Sequence, residues 1–244
     1  MRLKLSRVAR SVHNWAGLIL AIQILLWILG GVVMSVIPLE KVHGKHLASK
    51  SLPSSLTRAD YSFSLDQLIA TIPQAIRSLN YHHINNQAYY LITTEDQILT
   101  FNAQTGEPYK LTNKDEVANI AKQHYLGSGS IKQIVELEQA PLEASANKGK
   151  VWQVKFDDTW TTTLYISPAS AQVKTIRSDI WRIFDFFWML HIMDYDTRDD
   201  FNNPILITFA SAALVFTFSG IYLLFPVFGR KLRKARQQSQ QTEA

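Results

Sequence analysis

The stretch RSVHNWAGLILAIQILLWILGGVVMSVIP, residues 10–38, decides the architecture of this chain. From Val12 to Ile37 it contains no Asp, Glu, Lys or Arg. At about 1.5 Å per residue, the run exceeds the roughly 20 residues with which a helix crosses a bilayer. It therefore predicts a transmembrane helix over residues 12–37. Since the run is too long for the apolar core of a cleaved signal peptide, we expect it to remain as an anchor.

A second run without charged residues, from Pro204 to Gly229, predicts a transmembrane helix over residues 203–228. The tails at residues 1–11 and 229–244 hold nine basic residues and one acid, so of the net charge of +5 the segment between them carries −3. The positive-inside rule then predicts both tails in the cytoplasm, beside anionic lipid, and the central segment across the membrane. The basic balance therefore indicates a membrane partner and no nucleic acid.

Several kinds of chemistry lack support in this sequence. The 244 residues include no cysteine, which excludes disulfides, thiolate metal sites and cysteine catalysis. The sequence also has no Gly-rich phosphate loop, no GxSxG motif and no HExxH motif. Nucleotide-driven, esterase and zincin-type protease activities are therefore not expected.

The central segment, residues 38–177, alternates between helical and strand-like patterns. Residues 62–80, SFSLDQLIATIPQAIRSLN, predict a helix capped by Ser64 and kinked at Pro73. Lys114 to Tyr125 predicts a second helix. Period-two runs follow each helix and predict strands: AYYLITT, QILTFNA, IKQIVELE, KVWQVKF and TTTLYIS. This order indicates an internal repeat, with units at about 61–110 and 111–177 that each pack a helix on an antiparallel sheet.

Residues 178–202 predict an amphipathic, aromatic-rich juxtamembrane helix on the outer membrane surface. Its apolar face is predicted to contain Ile180, Phe184, Phe187 and His191. Arg182 and Asp185 are at pairing distance on another face. The aspartates that follow have two interpretations, a site that attracts a cation or a solvated acidic loop: Asp194, Asp196, Asp199 and Asp200.

Three features together resemble the PepSY-associated transmembrane family: a span opening His-Asn-Trp-x-Gly-Leu at residues 13–18, MLHIMDY at residues 189–195 ahead of the last span, and two helix-plus-strand units between them. The resemblance covers nearly the whole chain, and the two-span layout is similar to short members of the VciB type, which are tied to ferric-iron reduction in the periplasm. It implies an α+β membrane protein of the bacterial inner membrane. Two transmembrane helices would flank a periplasmic domain of two PepSY-like helix-plus-antiparallel-sheet units.

His13 poses the main chemical question, because an ionisable side chain one turn inside a span costs free energy unless it has a partner. Small residues on its predicted stripe leave room for a flat macrocycle or for another helix; the stripe consists of Gly17, Ala21, Ile24, Ile28 and Gly31. The residues alone allow a haem ligand or an interfacial histidine that faces water. For His191 they allow a ligand or a hydrogen-bonded packing residue. The resemblance implies that both histidines ligate the iron of haem b.

Distance limits how these two histidines could act. We expect His13 at the cytoplasmic end of the first span and His191 at the outer membrane surface, so roughly 24 helical residues, or about 35 Å, separate them. The two axial positions of one haem iron cannot span that distance. A two-fold homodimer would instead supply a pair of histidines at each level.

The other histidines give weaker signals. His43 and His46 form a His-x-x-His pair just outside the first span, which fits transient iron capture or a solvated loop. His82 and His83 are adjacent in a strand and should point to opposite faces. His124, at a helix end, is expected to complement the helix dipole.

The leading hypothesis is a haem-binding redox protein that passes electrons to ferric iron in the periplasm, as a ferric or ferrisiderophore reductase. It would support a ferrous iron transporter. Because no flavin or nicotinamide site is recognisable, the electron donor would be a quinol or a redox partner protein. The alternative is a non-enzymatic, membrane-tethered PepSY binding module that regulates a protease or assists a transporter. A third hypothesis is haem-free reduction at outer histidines such as His43 or His191.

Overall fold

A computed structural model describes residues 2–53, 55, 57–147 and 149–242 of the chain. The chain forms two compact units, which we call the membrane unit (residues 1–36 and 185–244) and the central unit (residues 37–184). The side chains of most basic tail residues, and all of Glu243, lie outside the described residues. The basic clusters of the two tails are therefore known from the sequence alone.

Two long helices dominate the membrane unit, α1 (Arg2–Val36) and α6 (Pro204–Thr242). The stretches Arg7–Val36 and Pro204–Gly229 are long and apolar enough to cross a membrane. Their outward faces carry exposed Ile, Leu, Val and Phe side chains. In water such a surface would be unfavourable, whereas in a bilayer it contacts lipid tails.

The central unit contains short helices and two antiparallel sheets. Its helices are α2 (Leu39–Val42), α3 (Leu65–Ala70) and α4 (Lys114–His124), with 3₁₀ turns at Arg58–Asp60 and Leu142–Ala144. The first sheet contains β1 (Ile76–Ile84), β2 (Gln87–Thr94), β3 (Ile98–Asn102) and β4 (Pro108–Tyr109). The second contains β5 (Ile131–Leu137), β6 (Val151–Phe156), β7 (Thr163–Ile166) and β8 (Val173–Arg177). Each sheet follows chain order and is preceded by a helix, which confirms the predicted α+β class.

A helix named α5 (Asp179–Ile192) leads from the central unit into the membrane unit. It begins after Ser178, whose side-chain oxygen accepts a hydrogen bond from the Trp181 N–H at 3.4 Å. It ends before Met193, which takes a left-handed φ of 54°. A residue in this conformation terminates a helix, although glycine is the usual choice.

The predicted helix over residues 62–80 is wrong in its second half. Ser64 does cap α3, accepting from the Gln67 N–H, but the helix ends at Ala70, before Pro73. Strand β1 begins at Ile76 and carries a bulge between Ile76 and Ser78. Because the bulge adds a residue, Ile76 and Leu79 both pack on the first sheet's core at a spacing of three, which imitates a helix.

Strand β2 links two hydrophobic cores of the central unit because both of its faces are buried. Tyr90 and Ile92 pack with Leu68 of α3. Tyr89, on the opposite face, joins the larger core that α4 forms with the second sheet. At about 25 cal/mol per Å² of apolar surface, a fully buried side chain of this kind stabilises the fold by roughly 1.5–3 kcal/mol.

An ion-pair network fixes the start of α5, and it differs from the predicted Arg182–Asp185 pair. Arg182 bonds Glu143 at 2.9 Å and Asp179, one turn earlier, at 2.8 Å. Burial would raise the pKa of Glu143, but hydrogen bonds from Arg182 and Tyr165 outweigh it and leave that pKa lowered. Asp185, the expected partner, pairs instead with Arg198 in the membrane unit.

Candidate functional site

His13 is held on the inward face of α1 by consecutive residues of α6. Its Nδ1 lies 3.0 Å from Ser219 Oγ and 3.2 Å from the carbonyl oxygen of Phe216. Because Ser219 Oγ itself donates to that carbonyl oxygen, the serine oxygen accepts from His13. The network thus assigns the Nδ1–H tautomer to the neutral ring. No described residue forms a hydrogen bond with Nε2.

Phe216 fills the space beside His13. The two rings stack with centroids 4.3 Å apart and planes inclined by 8°. The other side of the contact is Gly17, where an added Cβ would lie 2.8 Å from Phe216 Cε2. The gap predicted beside the small residues of α1 therefore accommodates a flat side chain of the second span.

The predicted stripe through His13 is partly wrong. Gly17 does face the second span, but Ile28 is 61% exposed and Ala21 also faces outward. Successive steps of four residues drift around a helix, so Ala21 lies roughly 80° away from His13 at 100° per residue. The buried positions are instead Leu20, Gln23 and Gly30.

The C-terminal half of α5 packs on α1. Trp27 Nε1 donates to the carbonyl oxygen of His191 at 2.9 Å, and Gln23 Nε2 contacts that of Leu190 at 3.5 Å. At Gly30 an added Cβ would lie 3.5 Å from the carbonyl oxygen of Phe187. These α1 residues lie within the predicted span of residues 12–37. The prediction that this helix lies on the outer membrane surface is therefore corrected, because the C-terminal half of α5 packs along the span.

His191 lies beside Trp27, with ring centroids 6.3 Å apart and planes inclined by 52°. Its Nδ1 is buried and has no hydrogen-bond partner among the described residues. Such an orphaned polar atom costs about 1–3 kcal/mol and calls for an explanation, such as an ion or ligand. An imidazole nitrogen is a common ligand of haem iron, so this atom fits the chemistry that the resemblance implies.

The predicted separation of His13 and His191 is too large. His191 is level with Trp27, which is fourteen residues along α1 from His13. At the helical rise this corresponds to about 21 Å, and the earlier estimate of about 35 Å assumed that His191 lies beyond the end of the span. The shorter distance still exceeds what one iron can bridge, so one iron cannot bind both histidines of one chain.

The loop after α5 is built around Asp194, which is 8% exposed. Its two carboxylate oxygens accept hydrogen bonds from the backbone N–H groups of four residues: Asp196, Thr197, Asp199 and Asp200. The Thr197 hydroxyl adds a bond at 2.6 Å and, with these N–H groups, holds the pKa of Asp194 well below its usual range. Asp194 thus stabilises its own loop, which replaces the solvated-loop interpretation for this residue.

Among the described residues, the structure brings no third metal-ligating side chain to the outer histidines. His43 and His46 are exposed, and no group of three or more His, Cys, Asp or Glu among the described residues could hold a metal ion. His82 and His83 line the same cavity, contrary to the opposite faces expected in a regular strand. They lie at the end of β1, next to a turn in which Asn85 and Asn86 both have positive φ.

His124 acts by hydrogen bonding, contrary to the predicted helix-dipole role. It is 8% exposed, and its Nδ1 donates to the carbonyl oxygen of Ser49 at 2.6 Å. Burial lowers its pKa more than this hydrogen bond raises it. A neutral imidazole therefore links α4 to the segment after α2.

Sequence reasoning missed Phe216, Trp27 and the structural role of Asp194. A signal for Trp27 was present, because it follows His13 by two heptads and such residues share the seam between packed helices. The hydrogen bond between Ser219 and His13 depends on the register of two helices. A single helical pattern does not supply that register.

The fold and these contacts define a class: a membrane protein in which one spanning helix precedes an α+β domain in the chain and a second spanning helix follows it. The family model described as the PepSY-associated TM region matches residues 10–243. The chain belongs to this PepSY-associated transmembrane family, as its motifs predicted. No curated protein and no solved structure gives a significant match. Membership of the ferric-reduction subgroup stays a prediction.

Proposed function

We propose that this chain is a haem-binding redox protein of the bacterial inner membrane, which passes electrons to ferric iron in the periplasm and so supports ferrous iron uptake. The observation that carries this proposal is the buried, unpartnered Nδ1 of His191. Haem b, when bound, would supply one-electron transfer. His191 would hold the iron from the α5 side of the membrane unit, and ligation would satisfy its orphaned nitrogen.

The environment of His13 supports a second ligand position. A metal-ligating histidine usually donates its other ring N–H to an oxygen, which fixes the ring orientation. Ser219 and the Phe216 carbonyl oxygen supply that arrangement at Nδ1 and leave Nε2 without a described partner. His13 would thus present Nε2 to the iron, while the stacked Phe216 keeps the ring from turning.

The separation of the two histidines favours a homodimer in this proposal. About 21 Å of helix between the two levels means that each iron needs its second axial ligand from elsewhere. A two-fold pair of chains would bring equivalent histidines together at each level. Electrons would enter from a quinol or a redox partner protein, with the basic tails in the cytoplasm, and leave toward ferric iron beside the central unit.

An absorption spectrum of the full-length protein tests the proposal. The protein would be purified in detergent from cells supplied with a haem precursor, and the dithionite-reduced minus oxidised spectrum recorded. We expect sharp b-type bands that are strongly diminished in His191→Ala and in His13→Ala. His46→Ala, a matched change at an exposed histidine, should leave the bands unchanged.

Two results would contradict the proposal. A folded wild-type protein that stays colourless despite the haem supply would favour the tethered binding module. A colourless protein that still reduces ferric iron, and loses this activity in His43→Ala, would favour haem-free reduction at outer histidines. Thermal unfolding of each variant in the same detergent separates loss of haem from loss of fold.

A further inference from the structure

The central unit contains a cavity of about 780 Å³ between α4, the β1–β2 turn and the segment after α2. This volume lies within the range of small-molecule sites. Ionisable side chains that line it are basic or imidazole groups: Lys50, Lys122, His82, His83 and His124. The amide side chains that line it are Asn85, Asn86, Asn119, Gln123 and Gln172.

The charge of this cavity is uncompensated. No Asp or Glu is among the described residues that line it. Neither Lys50 nor Lys122 forms an ion pair with a described carboxylate. Lys174, whose Nζ bonds the lining residue Gln172 at 2.5 Å, adds a further positive charge nearby. A cleft lined by charges of one sign raises the local concentration of ligands of the opposite charge.

Burial and like charge both act on Lys50 and on Lys174. Burial lowers the pKa of Lys50, and the nearby Arg177 lowers it further. Burial likewise lowers the pKa of Lys174, with a contribution from Lys50. Lys50 and Lys174 therefore carry their charges at a cost that a bound anion would reduce.

The hydrogen-bonding groups of the cavity are fixed in place before any ligand arrives. His82 Nε2 donates to the carbonyl oxygen of Ser170 at 3.1 Å, and His124 is held on Ser49. Gln123 Nε2 donates to Asn85 Oδ1 at 3.1 Å, which ties α4 to the β1–β2 turn. A cavity lining that is already fixed binds a ligand with less loss of side-chain entropy.

We propose that this cavity binds a small anion that carries two or more carboxylate or phosphate groups. The two lysines supply the charge, and the amide side chains supply directed hydrogen bonds to the oxyanion oxygens. The site lies wholly within the central unit, so it stands or fails independently of haem in the membrane unit.

Isothermal titration calorimetry on the full-length protein in detergent tests this site. Citrate serves as the polycarboxylate probe, pyrophosphate as the phosphate probe, and acetate as the monovalent control. We expect at least one multivalent probe to bind with one-to-one stoichiometry and more tightly than acetate. Its affinity should fall as salt is added, and the preferred probe identifies the chemical class.

Substitutions of the lysines that line the cavity test whether the anion binds there. Losing one charge-assisted hydrogen bond should weaken binding about tenfold in Lys50→Gln and in Lys122→Gln. Lys114→Gln is the matched control, because Lys114 is exposed on the same helix as Lys122 but does not line the cavity. Lys50→Arg keeps the charge and should retain most of the affinity.

The proposal is overturned if neither citrate nor pyrophosphate binds more tightly than acetate. It is equally overturned if Lys114→Gln weakens binding as much as Lys50→Gln does, because the attraction would then be a general property of the surface. Circular dichroism and thermal unfolding of each variant establish that the central unit remains folded in these comparisons.

Discussion

The imidazole of His13 and the ring of Phe216 stack face to face across α1 and α6, with centroids 4.3 Å apart. The stack combines with the Ser219 hydrogen bond to join the two spans at one level. In a membrane, apolar surface does not drive helices together, so close packing and interhelical hydrogen bonds supply the attraction. This cluster therefore fixes the register of the spans.

The first prediction concerns Gly17, which allows this close approach. In Gly17→Ala the new Cβ would lie 2.8 Å from Phe216 Cε2, and Phe216 is stacked on His13, so the ring cannot simply turn away. We expect a loss of about 1–3 kcal/mol in stability, the usual cost of overpacking. The measurement is thermal unfolding of the full-length protein in detergent.

Gly31→Ala is the matched control for this prediction. It is the same substitution in the same helix, and an added Cβ at Gly31 has no described atom within 4 Å. Alanine favours a helix over glycine by up to about 1 kcal/mol, so Gly31→Ala should be neutral or slightly stabilising. Equal Tm values for the two variants would show that the Gly17–Phe216 contact does not hold the spans together.

Much of the fold follows from local patterns in the sequence. Charge-free runs indicated both spans, and period-two runs matched β2, β3, β5, β6 and β7 closely. Strand β1 was mistaken for helix because its bulge between Ile76 and Ser78 breaks the alternation on which strand recognition depends. A bulge depends on pairing with β2, which is non-local information.

The candidate site was less accessible to sequence reasoning. His13 was singled out as an ionisable residue in an apolar run, and His191 by the motif MLHIMDY that carries the family resemblance. Their surroundings were not predicted, because Phe216 and Ser219 lie more than 200 positions from His13 in the chain. The basic cavity was missed for the same reason, since Lys50, His82 and Lys122 belong to three separate segments.

The second prediction concerns the pH dependence of the central unit. Burial lowers the pKa of His124, while an unfolded histidine has a pKa of ~6.5. Below that pH the unfolded chain takes up a proton that the folded chain does not, so stability falls as the pH drops toward the folded pKa. His124→Gln retains an N–H donor without titrating, and it should reduce this acid-side loss of Tm between pH 7 and 5.

His46→Gln provides the control for the pH experiment, because His46 is exposed and has no described hydrogen-bond partner. It should leave the slope of Tm against pH unchanged. His82, whose pKa burial also lowers, contributes in the same direction, so the double variant His82→Gln/His124→Gln should have the flattest profile. If His124→Gln keeps the wild-type slope, the histidine is not held neutral by the fold.

The last prediction concerns Asp194, the centre of the loop between α5 and α6. Both carboxylate oxygens of Asp194 accept hydrogen bonds in the native loop. In Asp194→Asn an amide NH₂ group replaces one of these oxygens, so a donor would face the N–H and O–H donors of the loop. We expect Tm to fall by several degrees at pH 7, measured in detergent by circular dichroism. Asp196→Asn, at an exposed neighbour, should change Tm little.

Acid should narrow the difference between Asp194→Asn and the wild type. The pKa of Asp194 is lowered in the fold, so its stabilisation is fully present above the unfolded value of ~3.9 and is lost as the pH falls toward the folded pKa. The difference between the two Tm values should therefore begin to narrow below about pH 4 and shrink further toward the folded pKa. If the difference stays constant from pH 7 to pH 3, the variant acts through packing, and the carboxylate charge does not stabilise the loop.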